Sequence, residues 1–223
     1  MSRYQRVLDL SSFSKEKLEI LHKSKVIVIG AGGVGQHVLT YLVTNGILDI
    51  TLVDFDIVEL SNLNRQILLT EQDVGLTKTE AVKTALIQRN SEAKITAKNL
   101  KVDSSNIDEL IKGYDVVVDA VDNWETKLVI FNAKKDNSQL FLHVGVDGES
   151  GQYCLFKNKS LVNLVDTCIL NSPKDGVLGP MVGVMSSLAS LHLIRYLVGD
   201  TEEIDTLFSF DSTTNKITKI KIL

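Results

Sequence analysis

The chain is short of the features that would remove it from the ordinary globular class. Two cysteines, Cys154 and Cys168, among 223 residues cannot build a disulfide scaffold. With no apolar signal-type run in residues 1–14, they point to a reducing interior, and a cytoplasmic protein is expected. Aromatic residues are few at 6%, but 44% of the chain is hydrophobic and 23% charged, a balance that excludes disorder and supplies one substantial core. Positive charge is not in excess either. A formal net charge of -4 with Lys and Arg dispersed along the chain excludes the clustered cationic surface that nucleic acid requires. Long apolar runs are nearly absent, and the one exception, residues 177–198, carries Pro180, Ser186, Ser187, Ser190, His192 and Arg195. We read it as a helix packed in the core or at a subunit contact, not as a membrane span. There is no internal repeat, low-complexity tract or linker.

What is present alternates. Short apolar, β-branched runs at Lys25–Ile29, Ile50–Val53, Ile95–Leu100, Asp115–Val121 and Leu140–Val146 are separated mostly by helical patterns, which predicts parallel strands joined by crossovers. After Gly151 the pattern changes to Gln152–Phe156, Thr206–Phe210 and Lys216–Ile222, the last two joined by a turn-rich segment, so antiparallel strands are expected. The fold class is therefore α/β: a Rossmann-like, doubly wound, mostly parallel sheet extended by antiparallel C-terminal strands. A single domain spans residues 1–223, with an N-terminal arm (1–24) and a crossover-type loop at about 157–177. Ligands in such sheets bind at the carboxyl ends of the strands.

The turn Gly30, Ala31, Gly32, Gly33, Val34, Gly35 stands at such an end and opens a helix that Asn45 and Gly46 stop. Glycines there let phosphates approach the backbone, and the helix N-terminus attracts their charge. Asp54, ending the next strand, is placed to accept bonds from ribose hydroxyls. Up to this point NAD and ATP fit equally. Beyond it the segment from Asp54 to Lys78 concentrates amides and cations. With Ser61 as N-cap, Asn62, Arg65 and Gln66 share one helical face. Thr77 and Glu80 form a capping-box pattern that places Lys78 in a first helical turn. A cation there opposes the helix dipole unless an anion binds beside it, so Lys78 is assigned to phosphates. Asp122 follows the Asp115–Val121 strand; it suits magnesium beside a triphosphate, and equally it begins a capping box with Glu125.

Taken together, GAGGVG, DFDIVELSNLNRQ, Lys78 after Asp73, Val74 and Gly75, the AVDNW segment, GVLGPMVGVM and the RYQR at Arg3–Arg6 resemble the ThiF/MoeB/HesA family of ubiquitin-activating-enzyme-like adenylyltransferases. The resemblance covers most of the chain. It implies a homodimer in which ATP and magnesium activate the C-terminal glycine carboxylate of a ubiquitin-like sulfur carrier ending in GlyGly, releasing pyrophosphate. It further implies that Gly30, Gly32 and Gly33 line the nucleotide, Asp54 holds the ribose, and Asn62, Arg65 and Lys78 contact the phosphates, with Gln66 also among the cofactor-binding residues. Asp122 would bind magnesium with Asn123 beside it, and Arg6 would reach the partner subunit's ATP.

The chain also departs from that family. Many members carry a zinc on two C-x-x-C pairs; here Cys168 stands opposite Val165 and the chain ends at Leu223 without a second pair, so no structural zinc is expected. Ser172 stands where some members have a reactive cysteine, and Cys154 reads as core. None of His22, His37, His143 and His192 is paired at ligand spacing. Two other activities stay open at this point: activation of a short peptide's terminal carboxylate, and an NAD-dependent oxidoreductase. The second leaves Arg65, Lys78 and Asp122 without a role.

Overall fold

The computed structural model describes residues 2–133, 139–157 and 176–222. Eight strands form one sheet: β1 (Lys25–Ile29), β2 (Asp49–Asp54), β3 (Lys94–Asn99), β4 (Val116–Asp119), β5 (Leu140–Asp147), β6 (Ser150–Phe156), β7 (Thr206–Asp211) and β8 (Lys216–Lys221). Their order is β3-β2-β1-β4-β5-β6-β7-β8. The first five are parallel and the last three antiparallel, as the change of pattern after Gly151 predicted. The order reverses between β1 and β4, so the crevice above them is the topological switch point.

Period-two alternation explains why the central strands need cover on both faces. Val26 and Val28 of β1 enter one core, Ile27 and Ile29 the other, and all four are at most 2% exposed. Each such side chain contributes about 1.5–3 kcal/mol on burial. The first core lies under α2 (Lys15–Lys23), α3 (Gly33–Thr44), α4 (Lys78–Arg89) and α7 (Gly179–Leu197), and the second under α5 (Ile107–Leu110) and α6 (Trp124–Asn132). α3 ends where Asn45 and Gly46 place it, Gly46 having φ 107°.

Residues 177–198 do form a packing helix. α7 lies along α3, with Ser186 Oγ donating to Val34 O at 3.4 Å and Ser187 Oγ to the Tyr41 hydroxyl at 3.0 Å. Its small residues thus admit α3 within the same chain. Among the described residues no helix is long and apolar enough to cross a membrane. The N-terminal arm holds the one-turn α1 (Gln5–Leu8) and α2, which buries Leu18 and Leu21. Tyr4 is also buried, its hydroxyl accepting from Asn90 Nδ2 at 3.1 Å. Most of the expected crossover loop, with Val165, Cys168 and Ser172, falls outside the described residues.

Candidate active site

One cavity of about 360 Å³ opens at the carboxyl ends of β1, β2, β4 and β5. Gly30, Gly32, Gly33, Asp54, Asn62, Arg65, Gln66, Lys78, Asp122 and Asn123 all line it, so residues spread over almost a hundred positions of sequence converge on one place. Arg6 does not line it; it sits exposed in α1.

The glycine turn is built by close approach. Gly30 has φ 104°, and a Cβ on it would meet Ala120 O at 2.6 Å; a Cβ on Gly35 would lie 2.0 Å from Gly30 O. Both positions require glycine for packing, whereas Gly32 has nothing within 4 Å and leaves its face of the turn open. The Asp54 carboxylate ties this turn to β2. It accepts from Ala31 N at 2.6 Å and from Asp56 N at 2.8 Å. Behind the turn the buried Gln36 amide donates to Ala31 O at 2.9 Å and to Gln66 Oε1 at 3.2 Å, and its own oxygen accepts from Leu68 N. A glutamine on the buried side of an otherwise apolar helix was the sequence signal for this brace.

The amide and arginine turn forms, but its cap is not Ser61. Glu59 caps the short helix Leu60–Asn62, and Asn62 Oδ1 accepts from Glu59 N at 3.1 Å. Glu59 takes the N-cap position because it precedes the turn in extended conformation, and Ser61 Oγ donates to its Oε2 at 3.2 Å. Asn62 thereby shapes the turn as well as lining the cavity, and Gln66 is likewise engaged by Gln36. Among the described residues Arg65 Nη1 donates to neutral acceptors alone, Ser61 O and Asn64 Oδ1. Glycines let a third segment close in: a Cβ on Gly179 would meet Asn64 O at 2.6 Å, and one on Gly33 would press on Val182 and Arg65. The GVLGPMVGVM segment therefore seats α7 against the Arg65 turn and the start of α3.

Lys78 opens α4 as expected and is 7% exposed. Thr77 is the N-cap residue, but its side chain makes no capping bond, so the Thr77–Glu80 box is not formed. The main chain is held instead by Lys78 N donating to Asp56 O at 3.0 Å. Lys78 Nζ pairs with the half-exposed Asp56 carboxylate at 2.7 Å. The Asp122–Glu125 box is also absent: Asn123 caps α6, its Oδ1 accepting from Thr126 N at 2.9 Å. Asp122 is left exposed at the cavity wall with no hydrogen-bond partner among the described residues.

Sequence reasoning missed a buried polar chain below this wall. Lys127 Nζ reaches both Asp119 oxygens, at 3.1 and 3.0 Å; His143 Nδ1 lies 2.7 Å from Asp119 Oδ2, and Gln152 Nε2 lies 3.3 Å from His143 Nε2. Burial opposes ionisation of Asp119, but Lys127 and His143 overcome it and hold the carboxyl below its usual range. Burial, then the Lys127 charge, pushes His143 down against the pull of Asp119, which keeps the imidazole neutral. The clue was a titratable side chain set among apolar residues at each of Asp119, Lys127 and His143. Cys154 lies in the core beside this chain, its thiol pushed up to about 12 by burial, the opposite of a reactive thiolate.

A doubly wound α/β protein with a glycine turn, two cations and carboxylates lining one cavity at the switch point is the class these features define. Residues 4–222 match the ThiF family, and the chain belongs to it. It is 31% identical to the molybdopterin-synthase adenylyltransferase of Escherichia coli over 100% of this chain and 93% of that protein. It is 32% identical to the sulfur carrier protein adenylyltransferase of Thermus thermophilus, over 89% of this chain and 78% of the relative. Other relatives are longer: the chain spans 53% of the adenylyltransferase and sulfurtransferase MOCS3 of Aedes aegypti, at 34% identity over 100% of its own length. It likewise spans 61% of the probable molybdopterin-synthase adenylyltransferase of Porphyra purpurea. Among solved structures, Escherichia coli MccB with ATP superposes with a TM-score of 0.86 over 99% of this chain and 72% of that one, at 24% identity, a likeness of fold.

Proposed function

We propose that the protein adenylylates the C-terminal glycine carboxylate of a ubiquitin-like sulfur carrier, using ATP and releasing pyrophosphate. The observation that carries this reading is the meeting of Arg65, Lys78 and Asp122 with the glycine turn in one cavity. The reading draws further support from the relatives named as adenylyltransferases. The apolar Ile29, Val53, Leu100 and Val102 offer a slot for the base, Asp54 takes the ribose, and the α3 N-terminus with Arg65 and Lys78 takes the phosphates. A carboxylate oxygen of the carrier attacks the α-phosphorus; the bond from that phosphorus to the β-bridging oxygen breaks and pyrophosphate leaves. Positioning and charge neutralisation do the catalytic work. The attacking carboxylate is already ionised near neutral pH, so no general base is required.

The donor set suits magnesium: one unpartnered carboxylate, Asp122, facing phosphate positions, leaves the remaining ligands to phosphate oxygens and water. When bound, the ion neutralises charge on the leaving oxygens. Lys78 would exchange Asp56 for a phosphate. The reading includes a cytoplasmic homodimer in which Arg6 reaches the partner subunit's nucleotide. No structural zinc forms part of it.

ATP to pyrophosphate exchange, measured with a panel of small GlyGly-ended proteins and with short peptides, tests the proposal. Exchange stimulated by a GlyGly-ended protein is expected. Exchange with peptides alone would transfer the same chemistry to a peptide substrate, and NADH binding without ATP binding would replace it with the oxidoreductase reading.

A further inference from the structure

Asp122 is exposed, has no hydrogen-bond partner among the described residues, and does not cap α6. The position of its Cα, and with it the space its carboxylate can reach, is therefore set by the backbone on either side, and that backbone is held from below. Ala120 N donates to Ile29 O at 2.9 Å and Val121 N to Asp119 Oδ1 at 3.3 Å, while Lys127 N closes the first turn of α6 on Asn123 O at 3.2 Å. Asp119 Oδ1 is in turn fixed by Lys127 Nζ, and Oδ2 by both Lys127 and His143. Lys127 Nζ also reaches Val144 O at 3.5 Å, on the neighbouring strand β5, where Val144 lines the cavity too.

We propose that Lys127 is a positioning residue: through Asp119 it holds the Val121–Asp122 turn so that the Asp122 carboxylate faces the metal-bound nucleotide. The ion pair is 5% and 2% exposed on its two sides, and apolar side chains of similar volume would serve folding as well or better. Its position under the Val121–Asp122 segment of the cavity wall gives it another use. Partners beyond the first ligand shell commonly tune metal affinity by roughly 10- to 100-fold.

The inference rests on the proposed role of Asp122, and the test separates the two. ATP binding to the full chain is measured by calorimetry with and without magnesium. Wild type is expected to bind ATP more tightly with the ion, and Asp122→Ala to lose that gain. If wild type shows no gain, or Asp122→Ala keeps it, the reading of the site fails. The paired variant Asp119→Asn with Lys127→Met removes both buried charges together and is expected to fold. It should lose roughly 10-fold or more of the magnesium-dependent gain while its magnesium-free affinity for ATP stays within about 2-fold of wild type. Asp119→Asn alone, close to isosteric, serves as a second probe and should shift the same quantity. A merely structural pair would leave the gain intact or weaken both affinities equally, and either result overturns the inference.

Discussion

Lys78 and Asp56 form an ion pair with one partner buried and the other half in water. Lys78→Ala, which removes a buried stem, is expected to destabilise by roughly 0.5–3 kcal/mol while lowering pyrophosphate exchange by on the order of 100-fold or more; thermal melts and exchange assays check the two halves. His143 gives a pH prediction. Its folded pKa is depressed, so as pH falls below its ordinary value of about 6.5 the unfolded chain takes up a proton that the folded chain refuses. Stability is full above that pH and declines below it toward the folded pKa. His192, also depressed chiefly by burial, adds the same sign. Melting temperatures measured from pH 8 to 5 should be flat and then fall, with a shallower fall in His143→Gln. Of these residues, Lys78 was legible because its charge is wrong for a helix start. Lys127 and Asp119 were not, because a buried ion pair is defined by a partner on another element, which spacing along the chain does not reveal.

At the scale of elements, the glycine turn separates packing from binding. Gly35→Ala puts a Cβ 2.0 Å from a backbone oxygen, a clash that no rotamer relieves, and is expected to destabilise by about 3 kcal/mol or more. Gly32→Ala meets nothing; its melting temperature should stay near wild type while ATP affinity falls, because the new methyl faces the space reserved for phosphate. Denaturant melts beside ATP titrations distinguish them. Strands such as Lys25–Ile29 coincide with their apolar runs because burial on both faces leaves a continuous signature. Caps were less legible. Ser61, Thr77 and Asp122 each satisfy a capping pattern, yet Glu59 and Asn123 make the bonds, and Thr77 makes none. A cap depends on one extended residue's dihedral angles, which the type of residue does not determine.

For the whole molecule, the strand order and the convergence of ten residues on one cavity follow from alternation plus the rule that parallel sheets bind ligands where their order reverses. Arg6 alone stands apart, as it must if it serves a second subunit. If the proposed dimer forms, mixing Arg6→Ala with Lys78→Ala chains should restore exchange, since a mixed dimer would contain one complete site; no restoration would confine Arg6 to its own chain. The most direct measurement is an equilibrium titration of wild type and Lys78→Ala with ATP, in magnesium, against NADH. ATP should bind wild type, bind the variant far more weakly, and resist displacement by NADH. Equal ATP affinity in the two chains, or displacement by NADH, would contradict a cavity built for a triphosphate.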